Sequence, residues 1–371
     1  MTPAERSFNL HQAFATVDRQ DSRAHNTMAW SAAHAKLHTL LSKRTLLPKD
    51  SSILMAVSGG QDSLCLARLL VDLQIRWRWS LRLVHCDHRW RDDSADNAAY
   101  VCDLAKQWHI PIWVEAAKIS LNSEAKAREW RHETFTKVAR SHSCSYVVTG
   151  HTASDRAETT LYNLIRGSGI DGISSLPWQR SIDSYQPTVT LVRPLLSFSR
   201  QETEDFCQQQ NISVWEDSSN LDLKFRRNRI RQELLPYLRE HFNPQVERSL
   251  SQTAEIATAD LAYLQAQSAN LYAQVITEIS SDSDSNSSAK CPKHHRAWEI
   301  DAPQLSLAPL ALQRRVVRQL LHRSLPQPPN FEQIEALVNL LQAPNGSRTS
   351  TYPGELVAQV RKPAIWLGRL S

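Results

Sequence analysis

Glycine is scarce in this chain. Nine of the 371 residues are glycine, about 2.4% where ~7% is typical of globular proteins. A chain that uses so little glycine is expected to place it where the backbone geometry requires it. Five of the nine fall in two short clusters, at 59–60 and at 167–172. These clusters are therefore the first candidates for functional loops.

Long apolar runs and paired cysteines are absent as well. No apolar run approaches the ~18 residues of a membrane span, which excludes a transmembrane protein, and the residues after Met1 lack the apolar core of a secretory signal. The six cysteines include no C-x-x-C pair and no spacing typical of a disulfide or zinc framework. Together these absences predict a cytoplasmic protein with reduced thiols.

The remaining composition is that of an ordinary globular protein with more than one domain. Lysine and arginine number 43 against 38 acidic residues, a net charge of +5, which permits an anionic partner without requiring one. The length predicts two or three domains. Residues 1–27 are polar, so translation could begin at Met1 or at Met28. The predicted division is an N-terminal extension with a lead-in helix (1–45), an α/β catalytic domain (46–240) and a mainly helical domain (241–371).

Short apolar strands alternate with amphipathic helices in the first half of the chain. The first strand, 53–57, is apolar throughout, which is typical of burial on both faces. Alternation with helices of about 10–15 residues predicts an α/β fold with a doubly wound parallel sheet. Ligands of such sheets bind beyond the carboxyl ends of the strands. The expected strands are 53–57, 81–86, 111–114, 146–149 and 189–192.

The strand pattern stops after about Pro236. Residues 244–279 are rich in alanine, glutamine and leucine, which predicts a helix, and the low-complexity run 280–288 is interpreted as a linker. The expected elements beyond it are helices at 309–325 and 330–342 and short strands within 356–367.

The first glycine cluster, Ser58-Gly59-Gly60-Gln61-Asp62-Ser63, joins the first strand to the first helix of the sheet. Backbone N–H groups at a glycine-rich turn and a helix N-terminus form a cradle for an anion such as phosphate. The chain has no Gly-Lys-Ser/Thr sequence, so this is not a Walker A loop. Asp62 would fit beside a phosphate if it held Mg²⁺. The alternative is a tight turn in which Asp62 only complements the helix dipole.

The second cluster, Gly167-Ser168-Gly169-Ile170-Asp171-Gly172, matches the G-x-G-x-x-G pattern of dinucleotide-binding folds. That fingerprint must follow a strand and open a helix, whereas these glycines follow a helical stripe. They therefore indicate a helix end and a loop near the strand ends.

Asp155 has two interpretations. Thr152-x-x-Asp155 is the pattern of a capping box, but the segment follows the fourth strand and so lies at the same sheet edge as the cradle. In the second interpretation Asp155 holds a metal or a cationic group of the substrate.

His85-Cys86-Asp87-His88 contains metal-ligating residue types, but neighbours on a strand point to opposite faces. Lining a nucleotide pocket is therefore favoured over a zinc site. Arg128 and Arg131, one helical turn apart, could bind an anion or lie on a solvated face.

Two basic stripes indicate a polyanionic partner. Residues 224–231 carry five cations in eight positions, and Arg227 and Arg231 would share one helical face. Arg314 and Arg318 repeat this spacing in the predicted helix at 309–325, on the face opposite the leucines and valines of that helix. Contact with phosphates is physically favoured for such stripes, and nucleic acid is the common long polyanion.

These motifs together resemble a known family. Ser58-Gly59-Gly60-Gln61-Asp62-Ser63 after a buried strand resembles the pyrophosphatase loop (PP-loop) of the N-type ATP pyrophosphatases, whose fold is adenine nucleotide alpha-hydrolase-like. Within that group the chain is similar to the tRNA(Ile)-lysidine synthetase family, strongly over 46–240 and more weakly over 300–371. The segments that carry the similarity are 58–63, 85–88, 127–131, 149–159, 166–169, 193–196, 217–220 and 227–231.

The resemblance implies a reaction and its substrates. Members use ATP with Mg²⁺ to adenylate the wobble cytidine of the isoleucine tRNA with a CAU anticodon, and free L-lysine then replaces AMP to give lysidine. It also allows a homodimer. Ser154, Arg156 and His132 depart from the residues usual in the family, which leaves Asp155 as the sole carboxylate where two acidic residues are common.

The resemblance also implies roles for individual residues. The implied ATP-binding residues are Ser58, Gly59, Gly60, Gln61, Asp62 and Ser63. Asp62 would also hold the metal. The implied catalytic residues are Asp62, Asp155 and Arg227. Lysine would be bound by Asp155 through its amine and by Arg128 through its carboxylate. The implied tRNA-binding residues are Arg227, Arg231, Arg314 and Arg318.

Three rival functions remain to be weighed. A PP-loop tRNA thiolase would need sulfur-handling cysteines, commonly paired, whereas Cys86, Cys102 and Cys144 stand apart in the sequence. A non-catalytic RNA-binding protein with a decayed loop is opposed by the intact loop residues and by Asp155. An ATP-dependent amidotransferase would need a glutaminase nucleophile, and Met1-Thr2 offers no N-terminal cysteine.

Overall fold

The computed structural model describes residues 30–90, 93–118, 123–183, 188–215, 223–224, 226–279 and 297–369. The chain forms two compact units, one ending at Ile256 and one beginning at Ala257. The sequence predictions for 1–27, for 217–220 and for the linker at 280–288 lie outside the described residues.

The first unit contains a six-stranded sheet flanked by helices. The strands are β1 (Ser52–Ala56), β2 (Ser80–Asp87), β3 (Ile112–Ala116), β4 (Tyr146–Thr149), β5 (Gln179–Ser181) and β6 (Thr190–Val192). The first helices are α1 (Ala32–Lys43), α2 (Gln61–Trp77), α3 (Ser94–Gln107), α4 (Glu124–Ser141) and α5 (Ala153–Ile165). They are followed by α6 (Ile170–Ile173), α7 (Arg200–Gln209), α8 (Arg226–Arg229), a π-helical turn (Ile230–Leu234), α9 (Leu235–His241) and α10 (Val246–Val275), which continues into the second unit.

The strand order is β3-β2-β1-β4-β6-β5. All neighbours are parallel except β5, which pairs antiparallel with β6. The chain moves outward from β1 to β3 and then returns to the other side of β1 with β4, so the order reverses between β1 and β4. In doubly wound sheets this reversal is where ligands bind.

Alternate residues of β1 explain the two helical layers. Ile53 and Met55 pack with side chains of α1, α2 and α7 on one face of the sheet. Leu54 packs with Phe135 and Val138 of α4 on the other face. All three β1 side chains are at most 1% exposed, which confirms a central strand buried on both faces. The predicted α/β doubly wound sheet is thus confirmed.

One strand of this sheet is missing from the sequence prediction. Residues 179–181 are Gln-Arg-Ser and are half-buried or exposed, so they carry no apolar signal. They form β5, at the edge of the sheet, because they pair with β6. A contact between separate segments of the chain cannot be predicted from the local sequence pattern.

The second unit combines helices with a small antiparallel sheet. Its strands are β7 (Ile276–Ile279), β8 (Ala297–Asp301), β9 (Leu356–Arg361) and β10 (Ala364–Arg369), in the order β7-β8-β10-β9. Its helices are α11 (Ala302–Ser306), α12 (Leu310–Ser324), α13 (Phe331–Asn339) and a 3₁₀ turn (Leu340–Gln342). No helix in the described part of the chain is long and apolar enough to cross a membrane.

The helices and the strands near the C-terminus confirm the sequence prediction, but two details of it are wrong. The helix expected to reach residue 279 ends at Val275, and the strands Ile276–Ile279 and Ala297–Asp301 were not predicted. Ile276–Ile279 is extended because it pairs with Ala297–Asp301. The local alanine- and glutamine-rich pattern contains no information about that partner, which is about twenty residues further on.

Glycine at position 150 allows the loops that follow β1 and β4 to meet. A Cβ atom there would lie 2.7 Å from the backbone carbon and oxygen of Asp62 and 2.8 Å from the nitrogen of Ser63. These distances are far below van der Waals contact, and backbone atoms cannot rotate away. The first turn of α2 therefore packs directly on the residue that follows β4.

We predict that Gly150→Ala lowers the free energy of unfolding by about 1–3 kcal/mol, because overpacking forces a backbone shift, and that it weakens binding at the loop of 58–63. Urea unfolding followed by tryptophan fluorescence measures the first effect. Gly169→Ala is the matched control, since a Cβ there has no heavy atom within 4 Å. Equal losses in the two variants would contradict the prediction.

Candidate active site

The loop of 58–63 is held by its own hydroxyl groups. The Ser63 hydroxyl accepts a hydrogen bond from the Ser58 backbone N–H at 3.1 Å and donates to the carbonyl of Gly60 at 2.8 Å. The Asn97 amide donates to the Ser58 carbonyl at 3.0 Å. Gly59 has φ +90°, a left-handed conformation that favours glycine. The loop is thus preorganised before α2.

Gly60 caps α2, a helix of 17 residues. The first backbone N–H groups of such a helix have no intrahelical partner, and its dipole favours an anion at this end. The structure therefore supplies the elements of the phosphate cradle predicted from the sequence, with donors at the switch point of the sheet.

Asp62 is fixed by two residues of α7 that sequence reasoning missed. The Thr203 hydroxyl donates to Asp62 Oδ1 at 2.5 Å, and Arg200 Nη2 lies 3.4 Å from Asp62 Oδ2. Gln61 reaches the same helix through the carbonyl of Arg200 at 2.6 Å. The only local signal was a capping-box pattern from Ser199 to Glu202 that opens α7, and it gives no hint of the partner 141 residues away.

Burial raises the pKa of Asp62, and the negative charge of Asp155 raises it further. Arg200 and the hydrogen bond from Thr203 act in the opposite direction. Two carboxylates from different loops thus repel each other here, and a cation between them would relieve that repulsion.

Asp155 confirms the capping-box interpretation, while its role toward a metal or a substrate cation stays a prediction. Its Oδ2 accepts hydrogen bonds from the backbone N–H and the hydroxyl of Thr152, at 2.8 and 3.0 Å, which caps α5. Its Oδ1 lies 3.3 Å from Arg231 Nη2. Burial alone would raise the pKa of Asp155, but the neighbouring His151, the Thr152 N–H and the Arg231 guanidinium hold it below its ordinary value.

Glu158 is a third residue to which sequence reasoning gave no role. It is 1% exposed and forms a two-pronged ion pair with Arg231, with Oε1 2.6 Å from Nε and Oε2 2.8 Å from Nη2. Burial raises the pKa of Glu158, partly offset by Arg231. The signal was available, because Asp155 and Glu158 are three residues apart and so share a helical face.

The predicted basic stripe at 227–231 faces α5. Arg227 Nη2 donates to the Thr159 hydroxyl at 2.5 Å, and Arg231 reaches Glu158 and Asp155 from the adjacent π-helical turn. The structure thus brings both arginines to the helix that carries Asp155. Arg314 instead pairs with Glu335 at 2.7 Å in the second unit, where Arg318 is exposed.

A group of arginines lies around His132. Arg180 donates to His132 Nδ1 at 2.9 Å, a bond that requires this nitrogen to be unprotonated. Burial, followed by the charges of Arg180, Arg128, Arg131 and Arg193, lowers the pKa of His132 to about 4. Burial also lowers the pKa of Arg193 to about 9, with help from neighbouring arginines. Arg128, predicted to bind lysine, is exposed on this cluster.

The other motifs singled out in the sequence take different places. His85 Nδ1 lies 2.9 Å from the carbonyl of Val57, while His88 packs against Trp90 and Trp130 with ring centroids 5.2 and 5.1 Å away. The side chains of this segment thus have separate partners. Gly167, with φ +75°, follows the end of α5, which confirms that the second glycine cluster begins as a helix end.

Two family models and several known proteins match this chain. Residues 30–238 match the model of a PP-loop domain and residues 301–361 match that of a TilS substrate binding domain. A tRNA(Ile)-lysidine synthase of Nostoc sp. is 48% identical over 335 residues, covering 90% of this chain and 96% of that protein. One of Synechocystis sp. is 48% identical over 336 residues, with the same coverage.

Among solved structures, the U34-tRNA thiolase NcsA from Methanococcus maripaludis shares the fold, with a TM-score of 0.52 and 15% identity over 61% of this chain and 78% of that one. The fold and the loop of 58–63 therefore define a PP-loop protein that uses ATP. More particularly, the chain belongs to the tRNA(Ile)-lysidine synthase family, which confirms the resemblance noted in the sequence.

We predict that Arg180→Gln raises the pKa of His132 from about 4, because the guanidinium nearest the ring is removed. NMR titration of the histidine ring protons measures this. Between about 4 and the ordinary value of 6.5 the folded protein binds fewer protons than the unfolded chain, so His132 lowers stability as the pH falls through that window.

Arg140→Gln is the matched control, since Arg140 lies on the same helix as His132 but pairs with Asp183 at 2.7 Å. A wild-type pKa near 6.5 for His132, or one that Arg180→Gln leaves unchanged, would contradict this account of the cluster.

Proposed function

We propose that this chain ligates free lysine to C2 of the wobble cytidine in the isoleucine tRNA with a CAU anticodon, at the expense of ATP. One observation carries the proposal: a phosphate cradle and a carboxylate-bearing helix start meet at the β1–β4 switch point in a chain of the lysidine synthase family. The cradle would hold the pyrophosphate part of ATP while the base is adenylated. The carboxylate would hold the amine that reacts in the second step.

In this proposal the 58–63 loop binds the phosphates of ATP through its backbone N–H groups and the hydroxyls of Ser58 and Ser63. Asp62 fits Mg²⁺, because it is a buried carboxylate beside the cradle with a second carboxylate close by. Mg²⁺ is commonly held by one or two carboxylates together with substrate phosphates. When bound, the metal supplies positive charge beside the pyrophosphate that leaves.

The reaction has two steps. The cytidine O2 attacks the α-phosphorus of ATP, and the bond to the pyrophosphate oxygen breaks. The neutral ε-amine of lysine then attacks C2, the C2–O bond breaks, AMP leaves, and the amine loses a proton. Asp155 is suited to hold the amine before attack, and its capping bonds and Arg231 keep the carboxylate ionised.

The arginines near the site are assigned to the two substrates other than ATP, which are lysine and the tRNA. Arg128, on the His132 cluster, is suited to the carboxylate of lysine, since the surrounding positive charge favours an anion. Arg227 and Arg231 are suited to the reacting nucleotide, because both contact the helix that carries Asp155. Arg314 and Arg318 would contact the tRNA backbone from the second unit.

Cys86 gives no support to the thiolase alternative. Burial raises the pKa of Cys86 to about 12, so its thiol stays protonated and is a poor nucleophile at neutral pH. Because ATP and tRNA meet in the cytoplasm, the proposed reaction places the enzyme there. The homodimer stays a prediction.

Incorporation of labelled lysine into bulk tRNA tests the function, with ATP and Mg²⁺ present and other amino acids as controls. Labelling that is specific to lysine and requires ATP is expected, and nuclease digestion should place it on a cytidine. Absence of labelling from folded protein that still releases AMP in the presence of tRNA would refute the lysine step and leave adenylation.

We predict that Asp62→Ala abolishes tRNA-dependent AMP formation while leaving tRNA binding largely intact, because the carboxylate serves the pyrophosphate end of ATP. AMP release and tRNA affinity are measured separately. Asp205→Ala on α7 removes an exposed carboxylate and should leave both unchanged. Retained AMP formation in Asp62→Ala would remove Asp62 from the proposal.

We predict that Arg128→Met raises the KM for lysine by about 10- to 100-fold, the effect of losing one hydrogen bond between charged groups, with little change in the KM for ATP. Steady-state kinetics with each substrate varied in turn separates the two. Lys126→Met is the matched control, an exposed cation two residues earlier on α4. Equal effects of both variants would point to general charge rather than a lysine site.

A further inference from the structure

Three rings lie together on the exterior of α9. Tyr237 is 54% exposed and Phe242 is 71% exposed. The Tyr237 ring centroid lies 4.6 Å from that of His241 and 6.0 Å from that of Phe242. We call Tyr237, His241 and Phe242 the α9 ring cluster.

The fold holds this cluster at the surface. Leu235, at the start of α9, is 1% exposed and anchors the helix to the first unit. Tyr237 and His241 are four residues apart and therefore share a helical face. That face points away from the side of the helix on which Leu235 is buried. Single exposed apolar side chains are ordinary, but rings grouped on an exposed face are typical of a binding surface.

The charge around the cluster is positive. Residues 226–248 contain six arginines and three glutamates. Arg229 pairs with Glu233 at 3.1 Å and Arg239 with Glu247 at 2.7 Å, and Arg231 pairs with Glu158 outside the segment. The other three arginines still outnumber the one remaining glutamate, so the segment keeps an excess of positive charge. Exposed aromatic rings within a basic segment are the pattern by which proteins bind single-stranded nucleic acid.

The cluster is also close to the candidate active site along one helical run. The π-helical turn that carries Arg231 continues without a break into α9. At about 1.5 Å of rise per residue, Tyr237 lies roughly 9 Å and Phe242 roughly 16 Å further along the axis than Arg231. Stacked nucleotides advance about 3.4 Å each, so the cluster is within a few nucleotides of a base held beside Arg231 and Asp155.

We propose that the α9 ring cluster is a stacking platform for an unpaired base of the tRNA anticodon loop, next to the reacting cytidine. The proposal rests on the proposed function. An enzyme that acts on a base must take it out of its stack, and a neighbouring base that loses its partner regains stacking on an aromatic ring. A second copy of the chain is the less favoured occupant, since a stable interface needs about 800 Å² on each partner and polar residues interrupt these rings.

Binding of the fluorescently labelled anticodon stem-loop tests the platform. Tyr237→Ala/Phe242→Ala should weaken binding about 5- to 100-fold, the range for one stacked base, and raise the KM for tRNA while leaving the KM for ATP unchanged. Tyr237→Phe/Phe242→Tyr keeps the rings and should restore affinity. Ile75→Ala, a 69% exposed residue near the far end of α2, is the control for loss of exposed apolar surface.

Abasic substitution in the loop identifies the stacked base. Replacing each unpaired base in turn should reveal one position whose removal weakens binding to the wild type but not to Tyr237→Ala/Phe242→Ala, because the two changes remove the same contact. Phe242→Ala alone, at the most exposed ring, serves if the double variant fails to fold. Stem-loop affinity that is independent of the rings overturns the proposal.

The outcomes also separate this inference from the proposed function. Ring-dependent stem-loop binding by a protein that does not incorporate lysine would keep the platform and refute the ligation. Lysine incorporation with ring-independent binding would do the reverse. If the ring variants instead convert a dimer to a monomer in light scattering, with stem-loop affinity unchanged, the surface joins two copies and the platform is refuted.

Discussion

The site depends on the contact between the residue that follows β4 and the first turn of α2. Because position 150 has no side chain, its backbone packs where a Cβ would lie 2.7 Å from the backbone of Asp62. That approach brings two loops from adjacent parallel strands together and places Asp62 close enough to Asp155 for their charges to interact. The phosphate cradle, which itself carries only the Asp62 carboxylate, thereby gains the Asp155 carboxylate as a neighbour.

The cost of gathering carboxylates is offset by arginines from later in the chain. Arg200 lies beside Asp62, and Arg231 bridges Asp155 and Glu158. Buried charges are tolerated when they are paired and hydrogen-bonded. These pairs also orient the carboxylates, so the donors and acceptors are arranged before any substrate binds, and preorganisation of this kind is the main source of electrostatic catalysis. Sequence segments far apart thus complete one network.

The sequence predicted what is local and missed what is long-range. The loop of 58–63 and Asp155 could be found because each follows an apolar strand, and parallel strands end at one sheet edge. Thr203 could not, because nothing near it in the sequence indicates a carboxylate 141 residues away. The strand at 276–279 was missed for the same reason, since its extended form depends on pairing with 297–301. Glu158 was within reach, because helical spacing placed it beside Asp155.

Arg156 shows that a departure from the family pattern need not alter the chemistry. It stands one residue after Asp155, yet its guanidinium turns away from the site, 2.7 Å from Glu255 of α10 and 2.9 Å from the carbonyl of Leu176. Trp178 donates to the same Glu255 carboxylate at 2.7 Å. Arg156 is 1% exposed, so this pair ties α5 to α10. One face of α5 therefore carries Asp155 and Glu158, while the other fixes the helix within the first unit.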